Sequence, residues 1–159
     1  MKKLLPFSAG LIAGALLVAV AAVVAMPRLM IHEQTSPFGV EETVEKIKAA
    51  ALARGWVVSG VKPLHESVRK NGGGELPPIL LVELCQARHA HAILVEGPSR
   101  KLSAFMPCTV SVYRRDDGTT AVGSMNAGLL GRVFGGTVAR VMGGEVARDQ
   151  AAILAFLGK

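Results

Sequence analysis

Two cysteines and four histidines are the side chains of this 159-residue chain best suited to metal, thiol or proton chemistry. Three of the six, Cys85, His89 and His91, fall within seven positions. The Cys-x3-His spacing brings Cys85 and His89 to one side of a helix that begins at the cysteine, where a thiolate and an imidazole could hold one metal ion. On that helix His91 points about 200° away from His89, so it does not join them. Cys108 is the third metal-ligand candidate beside Cys85 and His89. A closed zinc site would then need its fourth ligand from His65, His32 or Glu83, none of which is spaced as in a zinc finger. The preferred reading of the two cysteines is a disulfide: Cys85 closes one strand, Cys108 opens a strand expected beside it, and an oxidising compartment would permit the bond. Two buried free thiols are the remaining alternative.

Other reactive pairings are weaker. Glu83 and Cys85 share a strand face by parity, but a carboxylate beside a thiol raises the thiol pKa and makes it a poor nucleophile. Met106, Met125 and Met142 would be soft copper ligands, yet scattered at this density they read as core filler. The chain carries no Gly-x-Ser-x-Gly elbow, phosphate-cradling Gly-x4-Gly-Lys-Ser/Thr loop, His-Glu-x2-His or Cys-x2-Cys. No catalytic residue and no cofactor can therefore be named, and the expectation is a protein without enzymatic activity.

The elements that must position these residues are partly legible. Residues 29–35 alternate as a first strand. Val40, Val44, Ile47 and Ala51 mark one helical face, with Glu41 and Glu42 favourable in the first turn and Gly55 as the stop. Residues 56–61 read as a returning strand, 64–70 as a short helix, and 71–78, with three glycines and two prolines, as a turn. Residues 79–85 are nearly all apolar, as in a central strand covered on both faces, and 86–96 read as a helix. Residues 108–114 and 119–125, joined by Asp116-Asp117-Gly118, predict an antiparallel hairpin. From residue 127 onward helical periodicity is interrupted at Gly135-Gly136 and Gly143-Gly144. Gly131-x3-Gly135 would permit close helix approach, but Arg132 and Arg140 argue against burial in lipid, which leaves a soluble packing contact or a mere helix break.

Half of the residues are apolar, and 19% are charged, which excludes a disordered chain. The apolar residues are concentrated in an uncharged run over 4–26, preceded by Lys2 and Lys3. At about 1.5 Å per residue this run reaches across a hydrocarbon core of about 30 Å. Residues 1–27 are expected to be a transmembrane anchor; a cleavable signal peptide, with small-residue sites near Ala21 and Ala25, is the competing reading. Either way the positive-inside bias places the start in the cytoplasm and exports residues 28–159 to the periplasm or cell exterior, from the inner (cytoplasmic) membrane.

Setting aside Lys2 and Lys3 leaves 16 basic and 12 acidic side chains in the exported part. Its basic pairs, Arg69-Lys70, Arg100-Lys101 and Arg114-Arg115, lack interleaved aromatics, so nucleic acid is not an expected partner. The membrane is, with a membrane protein or a second copy of the chain as further candidates.

In this order, Ser36-Pro37-Phe38 leading into Glu41-Glu42-Thr43-Val44, Gly55-Trp56, Glu83-Leu84-Cys85, and Pro107-Cys108-x-Val110-x-Val112-Tyr113 with Gly118 resemble the bacterial and archaeal family called domain of unknown function 302. The resemblance runs from about residue 29 to the C-terminus. It implies a small α+β domain with a mixed β-sheet packed by helices, and it implies no activity. Gln86-Ala87 stands where the family often has Asn-Pro after the first cysteine, which predicts a weaker helix cap. The expected protein is thus one transmembrane helix followed by an exported α+β domain, acting as a non-catalytic binding or accessory module. The alternative is a metal-, haem- or thiol-redox-handling domain using Cys85, His89 and Cys108.

Overall fold

A computed structural model describes residues 4–158; Lys2 and Lys3, on which the orientation argument rests, lie outside the described residues. Helix α1 (Leu4–Met30) runs past the uncharged segment, through Pro27 and Arg28, directly into β1 (Ile31–Ser36). The strand therefore starts two residues later than its alternation suggests. Asn126 explains where the helix stops, because its side chain donates to the Leu29 carbonyl and its backbone N–H to that of Met30, both at 2.8 Å. Carbonyls at a helix end need such partners. The side chains of 4–9 and 11–13 are not described, and among the described residues no helix is long and apolar enough to cross a membrane.

Helix α2 (Val40–Ala53) buries the face its sequence predicts, with Val40, Val44, Ile47 and Ala51 all inside. It ends at Gly55, whose φ of +73° suits a residue without a Cβ. β2 (Val57–Pro63) leads into α3 (Leu64–Lys70), and β3 (Ile79–Cys85) into α4 (Ala87–Leu94). After a 3-10 segment (Gly97–Phe105) the hairpin β4 (Cys108–Arg114) and β5 (Thr120–Met125) follows. Its turn is held by Asp117, which accepts from the Thr119 backbone N–H at 2.9 Å, and by Gly118 at φ +82°.

The five strands form one sheet in the order β1-β5-β4-β3-β2, and every neighbouring pair is antiparallel. The α+β class is as expected, but the expected mixed sheet is corrected to an antiparallel one. Because β1 and β2 are the two edges, α2 must cross the sheet between them, and it does so over one face only. That face carries Val82, Leu84, Val110, Val112 and Val122 into the core. On the other face Ile79 and Leu81 remain half-exposed, so β3 is not covered on both sides as its apolar run suggests.

The tail closes the core as α5 (Ala127–Phe134), α6 (Gly136–Arg140), a π-helical segment (Val141–Val146) and α7 (Ala147–Ile153). Gly135, at φ +70°, breaks the path as expected, whereas Gly143-Gly144 widens it into the π-helical turn instead of interrupting it. Gly131 of α5 meets Gly143 backbone to backbone: a Cβ on Gly131 would lie 2.3 Å from the Gly143 nitrogen. The close approach anticipated at Gly131 is made within the domain, between α5 and the π-helical segment, while Gly135 has no neighbour within 4 Å of a would-be Cβ.

Candidate functional site

Five elements converge where β3 ends. β3 supplies Cys85, α4 supplies His89, the start of β4 supplies Cys108 with Met106 just before it, the π-helical segment supplies Met142, and Trp56 stands at the entry to β2. Together they line a cavity of about 40 Å³. The helix that carries His89 is capped by the residue expected to weaken it: the Gln86 side chain accepts from the Arg88 N–H at 3.2 Å and donates to the Gly55 carbonyl at 2.9 Å. A longer amide reaches the same orphan donor that Asn reaches elsewhere.

His89 is 4% exposed. Its Nδ1 lies 3.4 Å from Glu145 Oε2 and its Nε2 3.4 Å from Asp149 Oδ2, so a carboxylate faces each nitrogen. Asp149 Oδ2 also accepts the Trp56 indole N–H at 2.9 Å, and the Trp56 and His89 rings stand 5.9 Å apart, tilted. The chain's one tryptophan, its buried histidine and an acidic pair one helical turn apart thus form a single polar network at the wall of an otherwise apolar cavity. Asp149→Leu is expected to leave the buried Trp56 indole N–H unpaired and to remove the carboxylate facing His89 Nε2, costing about 1–3 kcal/mol, with Asp149→Asn retaining part of it. Thermal melts followed by Trp56 fluorescence measure both, and equal melting of the wild type and Asp149→Leu would contradict the network.

Cys85 and Cys108 are free thiols, and the expected disulfide is corrected accordingly. The register gives the reason. Leu84, not Cys85, stands opposite Cys108, so alternation turns the two thiols toward opposite sides at the strand ends. Both residues nevertheless line the same cavity. Burial, and to a smaller degree the neighbouring Cys85, pushes the Cys108 thiol up to about 11. A thiol so placed is protonated at neutral pH and slow to react.

The structure therefore brings Cys85, His89 and Cys108, the three candidates named from the sequence, to one cavity, although no group of three His, Cys, Asp or Glu among the described residues is arranged to hold a metal ion. The other candidates are elsewhere. His91 is exposed on the far side of α4, as expected. His65 Nδ1 stands 3.1 Å from the Ile79 N–H, which donates to it, His32 lies on edge strand β1, and Glu83 pairs with Lys62 at 2.6 Å. Trp56, Glu145 and Asp149 were not legible as site residues. An acidic pair four apart signals only an exposed helix face, and the π-helical segment that turns it toward His89 has no sequence signature beyond its two glycines.

The family model described as Domain of unknown function DUF302 matches residues 32–157. A similar solved structure, the crystal structure of an uncharacterized conserved protein DUF302 from Bacillus stearothermophilus, superposes with a TM-score of 0.70 at 21% identity, covering 81% of this chain and 98% of that one. A search of the curated proteins gave no match.

Proposed function

The chain belongs to the DUF302 family, and from that premise we propose that it is a membrane-tethered, non-catalytic binding or accessory module, held at the outer face of the cytoplasmic membrane by a single uncleaved helix. One observation carries the proposal: α1 passes without a spacer residue into β1, and Asn126 ties its last carbonyls to the domain. A helix begun by the uncharged run of residues 4–26 would then hold the domain against the bilayer surface, where a membrane protein or a second copy of the chain is within reach. The positive-inside bias of Lys2 and Lys3 supports export of the domain.

Hydrophobic burial, not charge, would hold such a tether. The full-length protein is accordingly expected to stay with membranes through both high-salt and alkaline carbonate washes. Release by salt would show a peripheral, electrostatic attachment, and release by carbonate would remove the tether altogether.

A second reading, the handling of a metal or thiol partner, is favoured by the meeting of Cys85, His89 and Cys108 at one cavity. The cavity volume of about 40 Å³ supports an ion over haem as the occupant in that reading.

A further inference from the structure

We propose that the cavity at the end of β3 binds one soft monovalent cation of the Cu(I) and Ag(I) class through the Cys85 and Cys108 sulfurs, completed by the Met106 and Met142 thioethers. Both cysteines of the chain and two of its six methionines line this one space. Four sulfur-bearing residues, from the end of β3, the start of β4 with the residue just before it, and the π-helical segment, line a volume of about 40 Å³ and offer sulfur as the commonest donor there. Thiolates and thioethers select soft cations, and such ions accept low coordination numbers. The inference is independent of the membrane tether.

The same geometry argues against zinc. Zinc in a structural site takes four nitrogen, oxygen or thiolate ligands in a tetrahedron. Here each His89 nitrogen already faces a carboxylate at 3.4 Å, and the cavity adds only two thiols. The register offset between Cys85 and Cys108 bears on the ion as well. A disulfide demands a sulfur separation of about 2.05 Å, whereas an ion placed between two sulfurs spans a wider gap, which suits thiols that meet at a cavity without pairing across the strands.

The charge balance selects a monovalent ion. The cavity wall is mostly apolar, and the Glu145 and Asp149 carboxylates stand behind His89. One thiol loses its proton to solvent, one metal–sulfur bond forms in place of that S–H bond, and the complex of a monovalent ion with one thiolate is neutral. The second cysteine and the thioethers donate lone pairs without losing a proton. No electron is transferred. Glu145 and Asp149 take no part in ligation; they hold His89, whose ring with that of Trp56 forms one wall.

The test uses the full-length protein in detergent, reduced with dithiothreitol and desalted, then titrated with Cu(I) under ascorbate against the chromogenic chelator bathocuproine disulfonate. One ion per chain is expected to move from the chelator to the protein. Cys85→Ala and Cys108→Ala are each expected to weaken binding about 100-fold, and Met106→Leu and Met142→Leu each about 10-fold. Far-UV circular dichroism of each variant shows whether it is folded. As a measurement free of substitutions, one equivalent of Ag(I) should slow alkylation of both cysteines in the wild-type protein. Retention of Cu(I) by the chelator, unchanged alkylation with Ag(I), or equal Cu(I) affinity in a folded Cys85→Ala/Cys108→Ala variant would overturn the proposal. Zn(II) binding as tight as that of Cu(I) would overturn the ion class.

Discussion

Ile47→Asp is expected to abolish cooperative unfolding of the domain, leaving a chain with no near-ultraviolet circular dichroism and no thermal transition. Ile47 is 0% exposed at the centre of the α2 face that crosses the sheet, among Val44, Val82, Val110 and Val112. The substitution removes about 1.5–3 kcal/mol of apolar burial and places a carboxylate among the apolar side chains of the core. The combined cost, about 4 kcal/mol or more, is a large part of the stability of about 5–15 kcal/mol usual for a domain of this size. Glu45→Ala, two residues away, should be almost silent: Glu45 is exposed, and its 2.7 Å contact with Lys48 is a surface pair worth less than about 1 kcal/mol. Equal behaviour of the two variants would mean that α2 presents a different face to the sheet.

Gly131→Val is expected to be nearly as damaging, for a reason of space and not of charge. A Cβ at this position would meet the Gly143 nitrogen at 2.3 Å and its Cα at 2.6 Å, and those are backbone atoms that cannot rotate away. α5 and the π-helical segment would have to separate, which would open the packing that Leu130, Val141 and Met142 share. Gly131→Ala should cost about 1–3 kcal/mol, as overpacking does elsewhere, and Gly131→Val more. Gly144→Ala is the control, since a Cβ there meets nothing within 4 Å; in a helical setting it should be neutral or stabilising by about 0.5–1 kcal/mol. Melting temperatures of the three variants check the crossing, and a wild-type melting temperature for Gly131→Val would contradict it.

How much of this was legible in the chain depends on the range of the interaction. Local patterns are legible. The apolar spacing of Val40, Val44, Ile47 and Ala51 identified the buried face of α2, and Asp116-Asp117-Gly118 located the hairpin, because each is decided within a few residues. Thr43 escaped, since a polar residue on an apolar face looks exposed until its partner is known; it is buried and bonded to the Ser36 hydroxyl at 2.7 Å. The sheet's direction and register are long-range properties. A slip of one residue changes the face of every side chain on a strand, and the connection from β3 to β4 carries no feature that makes Leu84 instead of Cys85 the partner of Cys108.

The candidate site divides along the same line. Cys85 and His89 were paired by helical spacing, and Cys108 by its place at the start of a strand. Met106 and Met142, read singly as filler, acquire meaning only when a 3-10 segment and a π-helical turn bring them to the same cavity. The Asp149 that joins Trp56 to His89 lies 93 residues from one and 60 from the other, beyond the reach of any spacing argument.

The tether is tested most directly by the intact mass of the protein recovered from carbonate-washed membranes. The account predicts the uncleaved chain, 16.6 kDa, with the segment of residues 1–27 still attached. A shorter mass beginning at Ala22 or Met26, recovered from the soluble exported fraction, would contradict it and show that the run before Pro27 is a signal peptide and not an anchor.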